Sequence, residues 1–125
     1  MSERRVLVVD DDEDMVLLLT RLLQKAGYAV VTAYDAAEAV IQAQRELLDL
    51  IVLDIVMPEG GGFGVLDRLM TSAQTRTIPI IVLTGSEEPA IEAWARAAGV
   101  THFLRKPCDD AALLEAVRSA VGGPR

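Results

Sequence analysis

Four strand-like runs in this chain end in side chains that can do chemistry. Leu50-Ile51-Val52-Leu53 ends in Asp54, and Arg5-Val6-Leu7-Val8-Val9 ends in Asp10-Asp11-Asp12. Ile78-Pro79-Ile80-Ile81-Val82-Leu83 ends in Thr84, and Val100 to Leu104 runs into Arg105-Lys106-Pro107. Open α/β sheets place their chemistry outside the carboxyl ends of the strands. Carboxylates, a hydroxyl and an ammonium are therefore expected to meet at one rim.

Asp10, Asp11 and Asp54 brought together would repel, so that one stays protonated or a divalent cation is bound. Ligands that are all oxygen suit Mg²⁺ or Mn²⁺. Beside a cation, Asp54 reads as a nucleophile, because a carboxylate can attack phosphorus and carry the group as an acyl phosphate. The cation and Lys106 would neutralise the equatorial oxygens, and the Thr84 hydroxyl would donate a further hydrogen bond. Each residue also has a plainer reading. Asp10, Asp11 and Asp12 could cap a helix and favour its positive end, and for Asp12 that reading is preferred. Asp54 could cap the loop that follows it, and Lys106 could be a surface lysine.

The elements that would hold these groups alternate strand and helix. Strands are expected at Arg5–Val9, Ala29–Ala33, Leu50–Leu53, Ile80–Leu83 and His102–Leu104. The first helix, about Glu13–Ala26, carries Val16, Leu19, Leu22, Leu23 and Ala26 at helical spacing, and Gly27 suits its end. Further helices are expected at Ala36–Glu46, capped by Asp35, and at Phe63–Ser72, after a loop with Pro58, Gly60, Gly61 and Gly62. The last two are Glu87–Ala98, with Ser86 as cap and Pro89 in the first turn, and Asp110–Val121, capped by Asp109. Strands 1, 3 and 4 are almost wholly apolar, as when helices cover both faces; strand 2 carries Thr32 and reads as less buried. Five such units with right-handed crossovers favour a doubly wound parallel sheet, order 2-1-3-4-5, with the site between strands 1 and 3.

Bulk properties narrow the function. A chain of 125 residues, 51% of them hydrophobic, suits one domain with a proper core. It is expected over residues 1–121, with residues 122–125 as a flexible tail or linker stub. The net charge of -7 argues against an electrostatic grip on nucleic acid or an anionic membrane. Cys108 and His102 are the only residues of their kinds, which excludes an internal disulfide, a multi-cysteine zinc site and a His-pair zinc motif. No apolar stretch approaches the roughly 20 residues of a membrane helix, and no signal peptide is read at the start. A cytoplasmic location is the expectation.

Taken together, the residues resemble the receiver domain of two-component response regulators, over nearly the whole chain. The resemblance rests on Asp10-Asp11 after the first strand and Asp54-Ile55-Val56-Met57-Pro58, with Gly62 four residues after the proline. Thr84-Gly85 after the fourth strand and Lys106-Pro107 after the fifth complete it. It implies that a flavodoxin-like (βα)5 domain accepts a phosphoryl group on Asp54 from a sensor histidine kinase or phosphotransfer protein. It further implies Mg²⁺ held by Asp11, Asp54 and the Val56 carbonyl, with Asp10 acting largely through water. Lys106 would pair with a phosphoryl oxygen, across a cis bond to Pro107. Thr84 and Phe103 would be the switch pair, and helix 4, strand 5 and helix 5 the readout face. The listener would be a downstream protein or a fused effector domain, and the chain a monomer or a phosphorylation-dependent dimer.

Several positions depart from the common receiver pattern. Val56 is apolar where many receivers carry a polar side chain that can orient water, and Ser86 is small, so slow self-dephosphorylation is expected. Cys108 stands where phenylalanine is common and reads as a small buried hydrophobe. Thr101-His102 replaces an acidic pair of dimerising DNA-binding regulators, and His102 reads as a loop or strand-edge residue. Phe103 lacks a hydroxyl, and Trp94 is a candidate partner contact. Two other functions remain as alternatives. A metal-dependent phosphohydrolase would need an acid/base group where Val56 stands. A phosphate-independent interaction domain would not need Asp10, Asp11, Thr84 and Lys106 intact.

Overall fold

The structure, a computed structural model, describes residues 3–57 and 61–122. The apolar runs form β1 (Arg5–Val9), β2 (Ala29–Ala33), β3 (Leu50–Leu53), β4 (Ile80–Thr84) and β5 (His102–Arg105). They alternate with α1 (Glu13–Lys25), α2 (Ala36–Arg45), α3 (Gly61–Thr71), α4 (Pro89–Ala97) and α5 (Asp110–Val121). All neighbouring strands pair in parallel, in the order β2-β1-β3-β4-β5. This is the doubly wound, flavodoxin-like sheet expected from the sequence.

Two apolar layers sandwich the sheet. On one face α1 and α5 set Val16, Leu19, Leu23, Leu113 and Val117 against Val6, Val8, Val52 and Ile81. On the other, α2, α3 and α4 set Ala39, Leu66, Leu69 and Ala95 against Leu7, Ile51, Leu53 and Val82. Strands β3 and β4 are buried along their whole length because both faces are covered, whereas β2 at the edge is mostly half-buried. Burial of side chains this size contributes about 1.5–3 kcal/mol each, which makes these layers the main support of the rim.

Local chemistry sets where the helices begin. Asp12 caps α1, its Oδ1 accepting from the Asp14 and Met15 N–H groups at 3.0 and 3.3 Å. Asp35 accepts from Glu38 N at 2.8 Å, and Glu38 Oε1 accepts from Tyr34 N at 3.0 Å. Asp109 accepts from Ala112 N at 2.7 Å. Gly27, at φ 99°, turns the chain out of α1, and Gly122, at φ 81°, closes α5.

Two boundaries differ from expectation. The α4 cap is Glu88, which accepts from Ala90 N, and the helix starts at Pro89. Ser86 is held outside it: its N–H donates to Thr84 Oγ1 at 3.3 Å, while its Oγ accepts from Glu88 N at 3.2 Å. The third helix starts earlier, at Gly61, so Gly61 and Gly62 belong to it and not to the loop. A Cβ on Gly62 would lie 2.2 Å from the Ile55 backbone, so only glycine lets α3 rest on the chain just after Asp54. Met1, Ser2, Pro58, Gly60 and the final Gly123, Pro124 and Arg125 lie outside the described residues.

Candidate functional site

Main-chain pairing carries the strand-end residues to one place. Asp10 follows β1 and donates its N–H to Ala33 O at 3.2 Å. Asp54 follows β3 and donates its N–H to Val9 O at 3.0 Å, which holds it beside Asp10. Lys106 follows β5, and its N–H reaches Thr84 O at the end of β4 at 2.7 Å. The Lys106-Pro107 bond is cis, as the resemblance implied.

The side chains converge on the lysine. Lys106 Nζ lies 2.6 Å from Asp10 Oδ2 and 3.1 Å from Asp54 Oδ2. Asp10 and Asp54 are buried, at 2% and 6% exposure, while Asp11 is exposed. Each free carboxylate oxygen has a guide. Asp10 Oδ1 accepts from Asp12 N at 3.0 Å, and Asp54 Oδ1 accepts from Val56 N at 2.9 Å. The loop-capping reading of Asp54 thus holds alongside its place in the cluster.

Electrostatics leave this cluster short of positive charge. Carboxylate oxygens of Asp10, Asp11 and Asp54 lie within 4.8 Å of one another, and among the described residues the Lys106 ammonium is paired with two of them, Asp10 and Asp54. Burial pushes the Asp10 carboxyl above the usual range, and the Asp54 charge adds to it; the bonds from Lys106 and Asp12 N pull the other way without prevailing. For Lys106, burial works to lower the pKa, but the bonds to Asp10 and Asp54 and their charges outweigh it and raise it. The ammonium gains from two carboxylates, whereas the Asp10 carboxyl has one ammonium to set against its own burial. Three carboxylates against one ammonium leave a formal -2, which a divalent cation would balance. The donors are all oxygen and one acid is open to solvent, so the residues fit Mg²⁺ or Mn²⁺.

Other expected residues occupy a neighbouring position. Thr84 is fully buried, and its Oγ1 accepts from Ser86 N. Phe103 is half-buried and packs with the α2–α3–α4 layer. Val56 is 45% exposed. Cys108 is half-buried against the α1–α5 layer, and burial, with Asp109 and Asp110 nearby, pushes its thiol up. His102 lies on the edge strand, with Nδ1 3.0 Å from Thr101 Oγ1 and Nε2 3.4 Å from Ser119 Oγ. Trp94 is 38% exposed and meets Phe63 edge to face at 4.8 Å between centroids, joining α4 to α3.

One residue escaped the sequence reading. Arg105 donates from Nη1 to the Ser86 carbonyl, pairs through Nη2 with Glu92 Oε1 at 3.4 Å, and sits 5.2 Å from the centre of the Phe103 ring. The only signal in the sequence is the two-residue spacing of Phe103 and Arg105, which puts both on one face of β5.

Comparison with known proteins agrees with the geometry. The family model described as the response regulator receiver domain matches residues 6–118. Protein PilH of Pseudomonas aeruginosa is 33% identical over 119 residues, spanning 95% of this chain and 98% of PilH. Response regulator PleD of Caulobacter vibrioides is 40% identical over 115 residues, which are 92% of this chain but 25% of PleD. Among solved structures, the chemotaxis protein CheY4 of Vibrio cholerae superposes with a TM-score of 0.87 at 33% identity, covering 94% of this chain and 98% of that one. A CheY-like receiver domain protein of Methanospirillum hungatei gives 0.89 at 25% identity, covering 95% and 94%. With its sheet order, its acidic rim and its lysine all in the places such a domain needs, the chain belongs to the response regulator receiver domain family.

Proposed function

We propose that this domain accepts a phosphoryl group on Asp54 from a phosphohistidine of a sensor kinase or phosphotransfer protein. The observation that carries the reading is Lys106 Nζ bridging Asp10 and Asp54, with Asp11 beside them. One Asp54 oxygen attacks phosphorus; the P–N bond breaks as the P–O bond forms, and its electron pair leaves with the imidazole. Asp11, Asp54 and the Val56 carbonyl, with Asp10 largely through water, would hold Mg²⁺ (or Mn²⁺), which would neutralise charge on the phosphoryl oxygens. The N–H of Val56 orients the Asp54 carboxylate, and Lys106 shifts from the carboxylates to a phosphoryl oxygen. Thr84 then turns its hydroxyl to the new anion and Phe103 follows.

The acyl phosphate shifts a two-state equilibrium only through such differential contacts. The face that reads it would be α4, β5 and α5, offered to a downstream protein or fused effector domain. A span of nearly all of PilH but a quarter of PleD is compatible with either arrangement. Residues 1–121 would be the working domain, as a cytoplasmic monomer or phosphorylation-dependent dimer. Among the described residues no helix is long and apolar enough to cross a membrane.

Incubation with Mg²⁺ and acetyl phosphate, followed by intact mass measurement, tests this. One added phosphoryl group, lost in Asp54→Asn, is expected. Multiple turnover of a phosphate ester would favour a hydrolase instead, although Val56 offers no acid or base there. No modification by any small donor or kinase would leave a phosphate-independent interaction domain.

A further inference from the structure

The side chain of Arg105 ties together parts that the proposed switch must separate. Arg105 is the register partner of Thr84 across the β4–β5 pair. Its guanidinium donates to the carbonyl of Ser86, and the N–H of that same Ser86 donates to Thr84 Oγ1 at 3.3 Å. The Ser86 residue thus links the switch hydroxyl to the arginine. From there the guanidinium reaches Glu92 on α4 at 3.4 Å and lies 5.2 Å from the Phe103 ring centre. Glu92 is itself held by Arg96, one turn along, at 3.0 Å. One side chain therefore contacts the loop after Thr84, the helix beyond it and the aromatic residue of the switch pair.

We infer that Arg105 is a positioning residue, a latch that acts through Ser86 to hold Thr84 and Phe103 in the unphosphorylated arrangement. A planar guanidinium has the fixed fork of donors needed to serve a carbonyl and a carboxylate while resting on a ring. When Thr84 turns toward an anion on Asp54, the Ser86 peptide moves with it and its carbonyl leaves the guanidinium. A turn of Phe103 would give up the contact of its ring with the Arg105 guanidinium. These contacts belong to one state only, so they resist activation by the free energy they contribute. The contacts are half-exposed, Arg105 and Glu92 side chains being 35% and 36% accessible, which makes the latch weak enough to open.

The inference rests on the phosphoacceptor reading, and the test separates the two. The probe is beryllofluoride, a non-covalent phosphoryl mimic, titrated with Mg²⁺ and followed by the bound fluorine NMR signal. Arg105→Ala is expected to bind it about fivefold more tightly than wild type. Glu92→Gln removes the ion pairs of Glu92 with Arg105 and Arg96 but leaves the Arg105 contact to Ser86, and is expected to bind about twofold more tightly. Arg105→Lys keeps the charge without the fork and should fall between wild type and Arg105→Ala. A merely structural role would lower the unfolding midpoint without tightening the binding. Equal or weaker binding in Arg105→Ala overturns the latch and leaves the phosphoacceptor standing. Should Arg105→Ala fail to fold, unchanged affinity in Glu92→Gln overturns it. Wild type that takes up neither beryllofluoride nor a phosphoryl group from acetyl phosphate overturns the reading beneath.

Discussion

Arg105 and Lys106 are adjacent cations at the end of one strand, yet their surroundings differ in kind. The ammonium of Lys106 sits among buried carboxylates whose backbones are pinned by the sheet. The guanidinium of Arg105 rests on a carbonyl, a half-exposed carboxylate and a ring on the α4 side. Alternation along a strand sends neighbouring side chains to opposite faces, so two consecutive positions can serve different parts of the rim. The contrast teaches that charge can be held at two strengths within one turn. Buried pairing holds Lys106 firmly, whereas half-solvated pairing would leave the proposed Arg105 latch free to open.

The largest way to break that contrast is Lys106→Ala. Two buried carboxylates would lose their shared cation, and stability in a chelator should fall by about 1–3 kcal/mol, discounted for partial exposure of the lysine. Urea unfolding checks it, and added Mg²⁺ should recover more stability in the variant than in wild type. Phosphorylation by acetyl phosphate should also slow in this variant. An equal Mg²⁺ effect in both proteins would remove the charge-balance argument.

Gly62→Ala tests the floor beneath Asp54. The added methyl would strike the Ile55 backbone, so the chain after Asp54 or the start of α3 must shift. A loss of about 1–3 kcal/mol is expected by denaturant unfolding, with weaker Mg²⁺ binding because the Asp54 loop moves. A smaller change follows from Val56→Asn, which puts an amide at an exposed rim position and should shorten the lifetime of phosphorylated Asp54 severalfold. A lifetime no shorter than that of wild type would show that Val56 does not slow hydrolysis.

The smallest effect probes the turn that carries Lys106. Burial and the neighbouring Asp109 and Asp110 raise the Cys108 thiol pKa, so less thiolate is present at any given pH near neutrality. Alkylation of Cys108 should therefore lag behind that of glutathione at pH 8 and approach it only as pH rises. Alkylation at the rate of a free thiol would show that this turn opens to solvent far more readily than the site needs.

Much of this arrangement is legible in the sequence, for physical reasons. Runs such as Leu50–Leu53 and Ile80–Leu83 are too apolar to sit anywhere but between two helical layers. A carboxylate directly after such a run must fall at the sheet's rim. Asp12, Asp35 and Asp109 were readable as caps because a short acid before a helical pattern has one good use. The start of α4 was not. Ser86 and Glu88 both offer a side-chain oxygen; Glu88 caps the helix, while Ser86 bonds to the Thr84 hydroxyl outside it. Arg105 was illegible for a similar reason: its partners Ser86 and Glu92 come from other elements, and nothing in the local pattern announces them.

The bond from Lys106 to Asp10 joins residues 96 positions apart. A chain still emerging from the ribosome would therefore make its acidic cluster well before it makes the lysine. Until β5 docks, such a chain holds crowded acids with no ammonium between them, and a divalent cation would be its main source of relief. The last strand thus does more than extend the sheet. Its arrival brings the Lys106 ammonium to the acidic rim, so the charge pairing at the rim is complete only when the fold is.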